Sequence, residues 1–299
     1  MKILIAGGTG FLGRPLAAAL AADGHDVVVL SRAGAAPPGA RAVPWTPDGG
    51  AGSWASEVSG AGAVVNLAGE SIAARRWTAA QKRRILDSRV RATRGLVAAI
   101  QGAASPPPVF VSGSAVGYYG PLGDAAVTED APAGSDFLAQ VCAQWEREAL
   151  RAAGDRTRVV CIRTGLVLEK DGGALPQMLP PFRFGAGGPV GSGRQYWPWI
   201  HRDDWIAIVR WALRTPTVSG AINATAPAPV TNAEFARAIG RAMHRPAFMP
   251  APGFALRLLL GEMADGLLLS GQRAVPATAE RLGFQFKYPT VDAALRAIF

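Results

Sequence analysis

Cysteine and histidine are scarce in this chain, and each shortage excludes a class of protein. The 299 residues include two cysteines, Cys142 and Cys161, and three histidines that lie far apart. Two cysteines within apolar stretches cannot build a disulfide framework, and neither they nor the histidines have metal-ligand spacing. The sequence therefore predicts a protein of a reducing compartment without a metal site.

Long hydrophobic runs are missing as well. Charged residues interrupt every apolar run well short of the ~20 apolar residues that span a bilayer. The chain opens on a strand-like run at residues 2–6, without the charged, apolar and small-residue sections of a secretory signal. We expect a cytoplasmic protein that has no membrane partner.

The net charge of +9 raises the question of nucleic acid. Lysine occurs at four positions only, and the arginines are scattered except for a cluster within residues 75–94. A pocket for a phosphorylated cofactor, or a solvated arginine-rich face, explains this cluster at least as well as nucleic acid does. We therefore expect a small-molecule substrate and no nucleic-acid partner, and no feature of the sequence specifies an oligomeric state.

Strand and helix patterns alternate through the first half of the chain. Short apolar runs predict strands at 3–6, 27–30, 63–66, 109–112 and 159–162, and helical patterns lie at 14–22, 78–100 and 137–153. Parallel strands need crossover connections, so the alternation predicts an α/β fold with a Rossmann-type doubly wound parallel sheet. Thr78 with Gln81, and Thr231 with Glu234, match the capping box that begins a helix.

A change of composition predicts the domain organisation. Glycine, proline and tryptophan become frequent at residues 185–199, and mixed short elements follow. We predict a nucleotide-binding domain over residues 1–170 and a smaller C-terminal α/β substrate lobe formed mainly by 171–299. Segments such as 198–225 are expected to return to the first domain.

The glycine-rich run GGTGFLG lies between the first strand and the first helix. Glycines without a Cβ let the backbone approach a pyrophosphate, and the helix N-terminus offers free N–H groups. The alternative is a tight turn without a ligand. The predicted cofactor-binding residues of this run are Gly7, Thr9, Gly10, Phe11, Leu12 and Gly13.

The end of the second strand indicates which dinucleotide binds. An NAD enzyme commonly places an acidic residue there for the ribose hydroxyls, whereas this chain has Ser31 and Arg32. A hydroxyl and a guanidinium suit a 2′-phosphate, although Arg32 could also be a solvated loop arginine. The prediction is NADP(H).

Several longer motifs resemble the atypical extended short-chain dehydrogenases/reductases called epimerase-like. They are NLAGE (66–70), RRW (75–77), DSR (87–89), SGSAVGYYG (112–120), WPWIH (197–201), VTNAEF (230–235) and LLLSGQRAVP (267–276). The resemblance covers essentially the whole chain. It implies that the loop of Asn66, Leu67, Ala68 and Gly69 passes the cofactor, that Arg89 with Arg84 reaches its phosphate end, and that Val167 sits near the nicotinamide.

Ordinary members of that superfamily use Tyr-x-x-x-Lys for proton transfer, and this motif is missing. Counting back from Trp145 and Glu146, the tyrosine and lysine positions hold Leu138 and Cys142. Leucine has no proton to give, and a thiol is a weak donor without positive charge. Catalysis must therefore use other groups of the cleft.

Most candidate groups for catalysis and substrate binding lie just after the fourth predicted strand, at 109–112, or in and just after the glycine-, proline- and tryptophan-rich segment at 185–199. Ser114, Tyr118 and Tyr119 are predicted to be catalytic, because ligands bind at the carboxyl ends of parallel strands; a packing role for the tyrosines is the alternative. The predicted substrate contacts are Glu70, Gln195, Trp197 and His201. His201 could instead brace the start of a helix over 205–213 that Asp203 and Asp204 are expected to cap.

The function predicted from these features is an NADP(H)-dependent oxidoreductase or epimerase-like enzyme. Hydride would move between the cofactor and a small polar carbonyl, alcohol or sugar-nucleotide-like substrate. The alternative is a nonenzymatic NADP(H)-binding sensor or assembly factor that has lost the acid-base pair.

Overall fold

The computed structural model describes residues 1–299 and contains short strands and helices in alternation. The strands are β1 (Lys2–Ala6), β2 (Asp26–Ser31), β3 (Ala40–Pro44), β4 (Ala63–Asn66), β5 (Val109–Ala115), β6 (Ala126–Val127), β7 (Arg158–Thr164), β8 (Leu166–Leu168), β9 (Tyr196–Trp197), β10 (Trp199–His201), β11 (Gly220–Ala224), β12 (Val230–Thr231) and β13 (Arg273–Ala274). The helices are α1 (Gly13–Ala22), α2 (Ala79–Gly102), α3 (Phe137–Leu150), α4 (Leu175–Arg183), α5 (Arg202–Arg214), α6 (Asn232–Met243), α7 (Gly253–Leu260), α8 (Glu262–Ala264), α9 (Ala277–Arg281) and α10 (Val291–Ile298).

Seven parallel strands form the central sheet, in the order β11-β7-β5-β4-β1-β2-β3. The order reverses between β1 and β4, which is the point where open α/β sheets bind ligands. All five predicted strands are present with ends shifted by up to three residues, which confirms the Rossmann-type fold. The sequence analysis missed β3, an edge strand whose residues are half-buried or exposed and so lack an apolar run.

Helices cover both faces of the sheet because its strands are apolar on both sides. On one face α1 and α5 bury Leu16, Leu20 and Ile208 against β1 and β7. On the other face α2 and α3 bury Leu96 and Ala149 against β4 and β5. This double layer leaves the carboxyl ends of the strands free to form a site.

The C-terminal half contributes to the sheet and also builds a third core. Strand β11 pairs with β7 at the edge of the sheet, and α9 packs against it. Helices α4, α6 and α10 enclose a separate apolar cluster around Trp199 and Phe235. The domain boundary at residue 170 stays a prediction. No helix combines the length and apolarity needed to cross a membrane.

Helix starts follow the sequence signals in part. Thr231 and Glu234 form the complete capping box at α6. Thr78 accepts from the Gln81 backbone at α2, but the Gln81 side chain donates to Glu70 instead of returning to the cap. The predicted start of α5 was wrong, because Asp203 and Asp204 lie within its first turn and His201 is the N-cap.

Candidate functional site

A cleft of about 700 Å³ opens at the carboxyl ends of β1, β4 and β5. The glycine-rich turn and the loop after β4 form one side of it. The other side consists of the turn after β5, the start of β9 and residues 266–272. The N-terminal and C-terminal halves of the chain therefore share a single cavity, large enough for a cofactor-sized ligand.

The glycine turn approaches its neighbours too closely for side chains at two positions. A Cβ on Gly7, whose φ is +80°, would lie 2.7 Å from the carbonyl carbon of Leu67, and one on Gly13 would lie 2.1 Å from the Gly7 oxygen. Gly10 differs, because a Cβ there would meet only the Gly7 oxygen, at 3.3 Å. Gly7 and Gly13 thus shape the turn, whereas Gly10 keeps open space beside it.

The first turn of α1 faces this open space without a cap of its own. Its N-cap residue, Leu12, has an apolar side chain that accepts no hydrogen bond. The Arg14 N–H donates to the Gly10 oxygen at 3.0 Å and Pro15 has no N–H, so the N–H groups of Leu12 and Gly13 are the ones that remain available to an anion. Phe11 and Leu12 line the cleft, whereas Thr9 is exposed beside it.

The two residues at the end of β2 have different environments. Ser31 is buried, and its hydroxyl accepts a hydrogen bond from the Ala35 backbone at 3.2 Å. Arg32 is exposed and forms no ion pair within the protein. The Arg32 guanidinium is free to bind a phosphate, whereas the Ser31 hydroxyl stabilises the turn after β2.

Asn66 shapes the loop after β4 from beneath. Its amide nitrogen donates to the Thr93 hydroxyl at 2.8 Å, and its oxygen accepts from the Ala68 backbone at 3.2 Å. The side chain is fully buried, whereas Leu67 and Gly69 line the cleft. Asn66 therefore acts on a ligand only through the loop that it holds.

The arginines of α2 have separate roles. Arg89 lines the cleft, donates to the Glu70 and Ile85 carbonyl oxygens at 3.0 Å each, and lies over the Trp145 ring. Burial lowers its pKa. Arg84 instead pairs with the Glu70 carboxylate at 3.1 Å, and hydrogen bonds from Gln81 and Arg84 lower the Glu70 pKa. Glu70 thus anchors the loop and does not line the cleft.

The predicted site residues of the C-terminal half are only partly in the cleft. Val167 and Trp197 line the cleft. Gln195 lies outside its lining, and its amide donates to the Val190 and Leu268 carbonyl oxygens. His201 also lies outside, because its Nδ1 accepts from the Asp203 backbone at 3.0 Å as the α5 cap. The positions of Gln195 and His201 correct the expectation that they contact substrate.

Leu138 and Cys142 lie in the cleft, where the missing tyrosine and lysine were sought. Burial, supported by the nearby charge of Glu146, raises the pKa of Cys142 to about 12. A thiol with that pKa stays protonated at neutral pH. Neither residue supplies the charge or the readily exchanged proton of the absent pair.

Ser114 is the hydroxyl that β5 brings to the cleft. Its Oγ donates to Oε1 of Glu146 at 2.5 Å, and Glu146 accepts two hydrogen bonds from Arg163, each at 2.9 Å. All three side chains are buried. The charge and hydrogen bonds of Glu146 raise the pKa of Arg163 against the opposing effect of burial. Ser114 is therefore held in place by a charge-compensated carboxylate.

The two predicted catalytic tyrosines do not line the cleft. Tyr119 is buried, donates to Asn223 at 2.7 Å and accepts from Arg163 at 2.9 Å. Burial raises its pKa to about 12. Tyr118 lies beneath the Arg163 guanidinium, which is 3.6 Å from its ring centre. These positions correct the proton-transfer role proposed for Tyr119 and favour packing for Tyr118.

The sequence analysis missed three contributors to the site. A signal for Glu146 and Arg163 existed, since an arginine inside the apolar strand VVCIRT requires a buried carboxylate. Gln272 also lines the cleft and donates to the Val116 carbonyl oxygen at 2.7 Å. Nothing in the local sequence indicates that contact, because 156 residues separate its partners.

A parallel sheet with a glycine cradle at its switch point defines a dinucleotide-binding protein. The model of the NAD dependent epimerase/dehydratase family matches residues 3–224, and a domain of unknown function, DUF1731, matches residues 251–298. The chain belongs to the NAD dependent epimerase/dehydratase family. The predicted resemblance to epimerase-like proteins is confirmed.

Relatives that match the whole chain are found in distant organisms. The chain is 44% identical to the chloroplastic epimerase family protein SDR39U1 homolog of Arabidopsis thaliana, over 100% of this chain and 86% of that protein. It is 40% identical to epimerase family protein SDR39U1 of Homo sapiens, over 100% and 99%.

Solved structures agree with this assignment. The crystal structure of human SDR39U1 (isoform 2) with NADPH superposes with a TM-score of 0.90 at 40% identity, covering 100% of this chain and 99% of that one. MoeE5 in complex with UDP-glucuronic acid and NAD has a TM-score of 0.79 over 100% and 97% of the two chains. At 19% identity, that second similarity shows the fold alone.

Proposed function

We propose that this protein binds NADP(H) in the cleft and exchanges hydride with a small carbonyl or alcohol substrate. The observation that carries the proposal is the glycine turn, which keeps open space beside Gly10 and the uncapped first turn of α1. A diphosphate fits there, because it needs close backbone approach and free N–H donors. The human relative crystallised with NADPH supports the same cofactor here.

Arg32 supports the phosphorylated form of the cofactor. Its exposed guanidinium follows β2, where a ribose 2′-phosphate of a bound dinucleotide would lie. Arginine binds phosphate through paired, charge-assisted hydrogen bonds. Ser31 contributes by bonding the turn that carries Arg32.

The cofactor, when bound, supplies or accepts hydride at the nicotinamide ring. Ser114 orients the substrate oxygen. The Ser114 hydroxyl donates its hydrogen bond to Glu146, so the lone pairs of the Ser114 oxygen accept a hydrogen bond from a substrate hydroxyl. When the alcohol is oxidised, its proton passes to Ser114 Oγ while the Ser114 proton passes to Glu146. The reverse transfer returns the proton when a carbonyl is reduced.

Reductase and epimerase activities differ in their use of cofactor. A reductase consumes NADPH, whereas an epimerase oxidises a carbon and reduces it again on the opposite face. The further parts of the proposal are a location in the cytoplasm and a small-molecule partner.

The test is to titrate NADPH by fluorescence and then follow NADPH oxidation with a panel of carbonyl compounds. Ser114→Ala is expected to leave the NADPH dissociation constant unchanged and to lower turnover about 10²-fold or more, as loss of a proton-transfer group does. The control is Ser105→Ala, at an exposed serine that precedes β5 and so lies at the amino ends of the strands, away from the cleft. Turnover that survives Ser114→Ala would remove this serine from the mechanism.

A nonenzymatic NADP(H)-binding role is the second candidate. The apolar Leu138 and the protonated Cys142 at the acid-base positions favour it. This candidate predicts tight NADPH binding without oxidation by any carbonyl in the panel. The oxidation assay therefore separates the two functions.

A further inference from the structure

The cleft contains few charged side chains. Only Arg89 and Asp136 line it, and Arg89 is bonded to the loop after β4 on the cofactor side. Asp136 caps α3 through a 2.7 Å hydrogen bond from the Ala139 backbone. The half of the cleft away from the glycine turn therefore has one carboxylate and no cation.

Three cations near the rim are bound to other parts of the protein. The Arg76 guanidinium donates to the Leu258 carbonyl oxygen at 3.2 Å. Lys82 pairs with Glu262 at 2.5 Å. The Arg273 guanidinium donates to the Asp124 carbonyl oxygen and lies over the Tyr196 ring. None of the three side chains lines the cleft.

The remaining lining of this half mixes apolar and uncharged polar side chains. Its apolar side chains include Ile72, Leu138, Val141, Met178, Trp197 and Leu267, and its polar ones are Ser71, Ser114, Thr164, Tyr196, Ser270 and Gln272. Gln272 is already bonded to the Val116 carbonyl oxygen, and Ser114 to the buried Glu146. An anionic ligand here would lose its hydration without gaining a cationic partner, which is costly.

We infer that the substrate half of the cleft takes an uncharged carbonyl or alcohol compound and excludes nucleoside diphosphates. A nucleoside diphosphate carries its negative charges at the pyrophosphate, and no arginine or lysine lines this half of the cleft to balance them. The inference rests on the proposed function, because the bound cofactor divides the cleft into its two halves.

The experiment uses the full chain saturated with NADPH, so that the phosphate cradle is already filled. Two probes differ by one charge: a benzaldehyde with a para methyl ester and the same benzaldehyde with a para carboxylate. UDP-glucose is the third probe, titrated up to about 5 mM, where even weak binding is detected. Calorimetry measures binding, and NADPH fluorescence reports any displacement of the cofactor.

The neutral ester is expected to bind at least about tenfold more tightly than the carboxylate, since the latter buries an unpaired charge. UDP-glucose is expected not to bind, or to bind only by displacing NADPH. Saturable UDP-glucose binding to the NADPH complex would overturn the inference. Equal binding of the two benzaldehydes, or no binding of the ester, would overturn it too.

A charge introduced into the cleft provides a second test. Leu267→Arg places a guanidinium at a half-buried lining position and is expected to reduce the preference for the ester severalfold. Leu258→Arg, at a side chain that is 81% exposed and outside the cleft, is the matched control. A preference unchanged by Leu267→Arg would contradict the argument. NADPH affinity and NADPH oxidation are measured separately, so failure of the proposed function is recognised independently.

Discussion

Gly10 allows the cofactor cradle to be tested without disturbing the fold. Its φ lies outside the left-handed region, and a Cβ there would meet only the Gly7 oxygen, at 3.3 Å. Alanine therefore requires a shift of a few tenths of an ångström. We expect Gly10→Ala to change the free energy of unfolding by less than about 1 kcal/mol.

The same methyl group would occupy the space beside the first turn of α1. Losing one hydrogen bond between a phosphate and a backbone N–H costs about 1.5–3 kcal/mol, which corresponds to roughly 10- to 150-fold weaker binding. Gly13→Ala provides a contrast, because its Cβ would lie 2.1 Å from the Gly7 oxygen. That variant is expected to lose at least about 1–3 kcal/mol of stability through overpacking.

NADPH fluorescence titration and thermal unfolding without cofactor measure the two effects separately. Gly102→Ala is the control, since a Cβ at the end of α2 would meet no atom within 4 Å. It should leave NADPH affinity unchanged. Wild-type affinity in Gly10→Ala would refute the argument that the open space beside this glycine holds the diphosphate.

Three further predictions concern the buried polar groups. Tyr119→Phe should lower the free energy of unfolding by about 1–3 kcal/mol, because two buried partners lose a hydrogen bond. It should leave NADPH affinity unchanged, and a large loss of affinity would show that this tyrosine contacts the ligand. Glu146→Gln should cost about 3–5 kcal/mol by leaving Arg163 unpaired, whereas Glu57→Gln, at a partly exposed ion pair, should cost less than about 1 kcal/mol in the same denaturant titration. Burial lowers the pKa of His201, so the unfolded chain binds more protons between the folded value and about 6.5, and stability falls as the pH drops through that window. His201→Asn retains a cap acceptor and should flatten this pH dependence in thermal melts; an unchanged profile would exclude His201 as its source.

The sheet and the cofactor cradle could be predicted because their signals are local. Apolar runs such as residues 3–6, and the glycine spacing of residues 7–13, lie within one βαβ unit. Steric contacts that require Gly7 and Gly13 involve that turn and the loop after β4. The edge strand β3 was missed because none of its residues is fully buried, so it lacks an apolar run.

The second half of the site could not be predicted because its contacts are distant in sequence. Tyr119 follows β5, the position expected of a catalytic tyrosine, yet its hydroxyl donates to Asn223, 104 residues away. His201 has the residue type of a proton donor, but it caps the helix that follows it. Residue type and strand position do not determine which side of a turn faces the cleft.

The most direct test of the account is the ratio of the NADH and NADPH dissociation constants. If the Arg32 guanidinium binds the 2′-phosphate, the wild-type protein should bind NADPH at least about tenfold more tightly, and Arg32→Ala should bring the ratio close to one. Arg214→Ala is the control and should keep the wild-type ratio. Arg214 is exposed at the C-terminal end of α5, close to the start of β7 and so at the amino ends of the strands. Equal affinities of the wild-type protein for both coenzymes would contradict the assignment of this site to NADP(H).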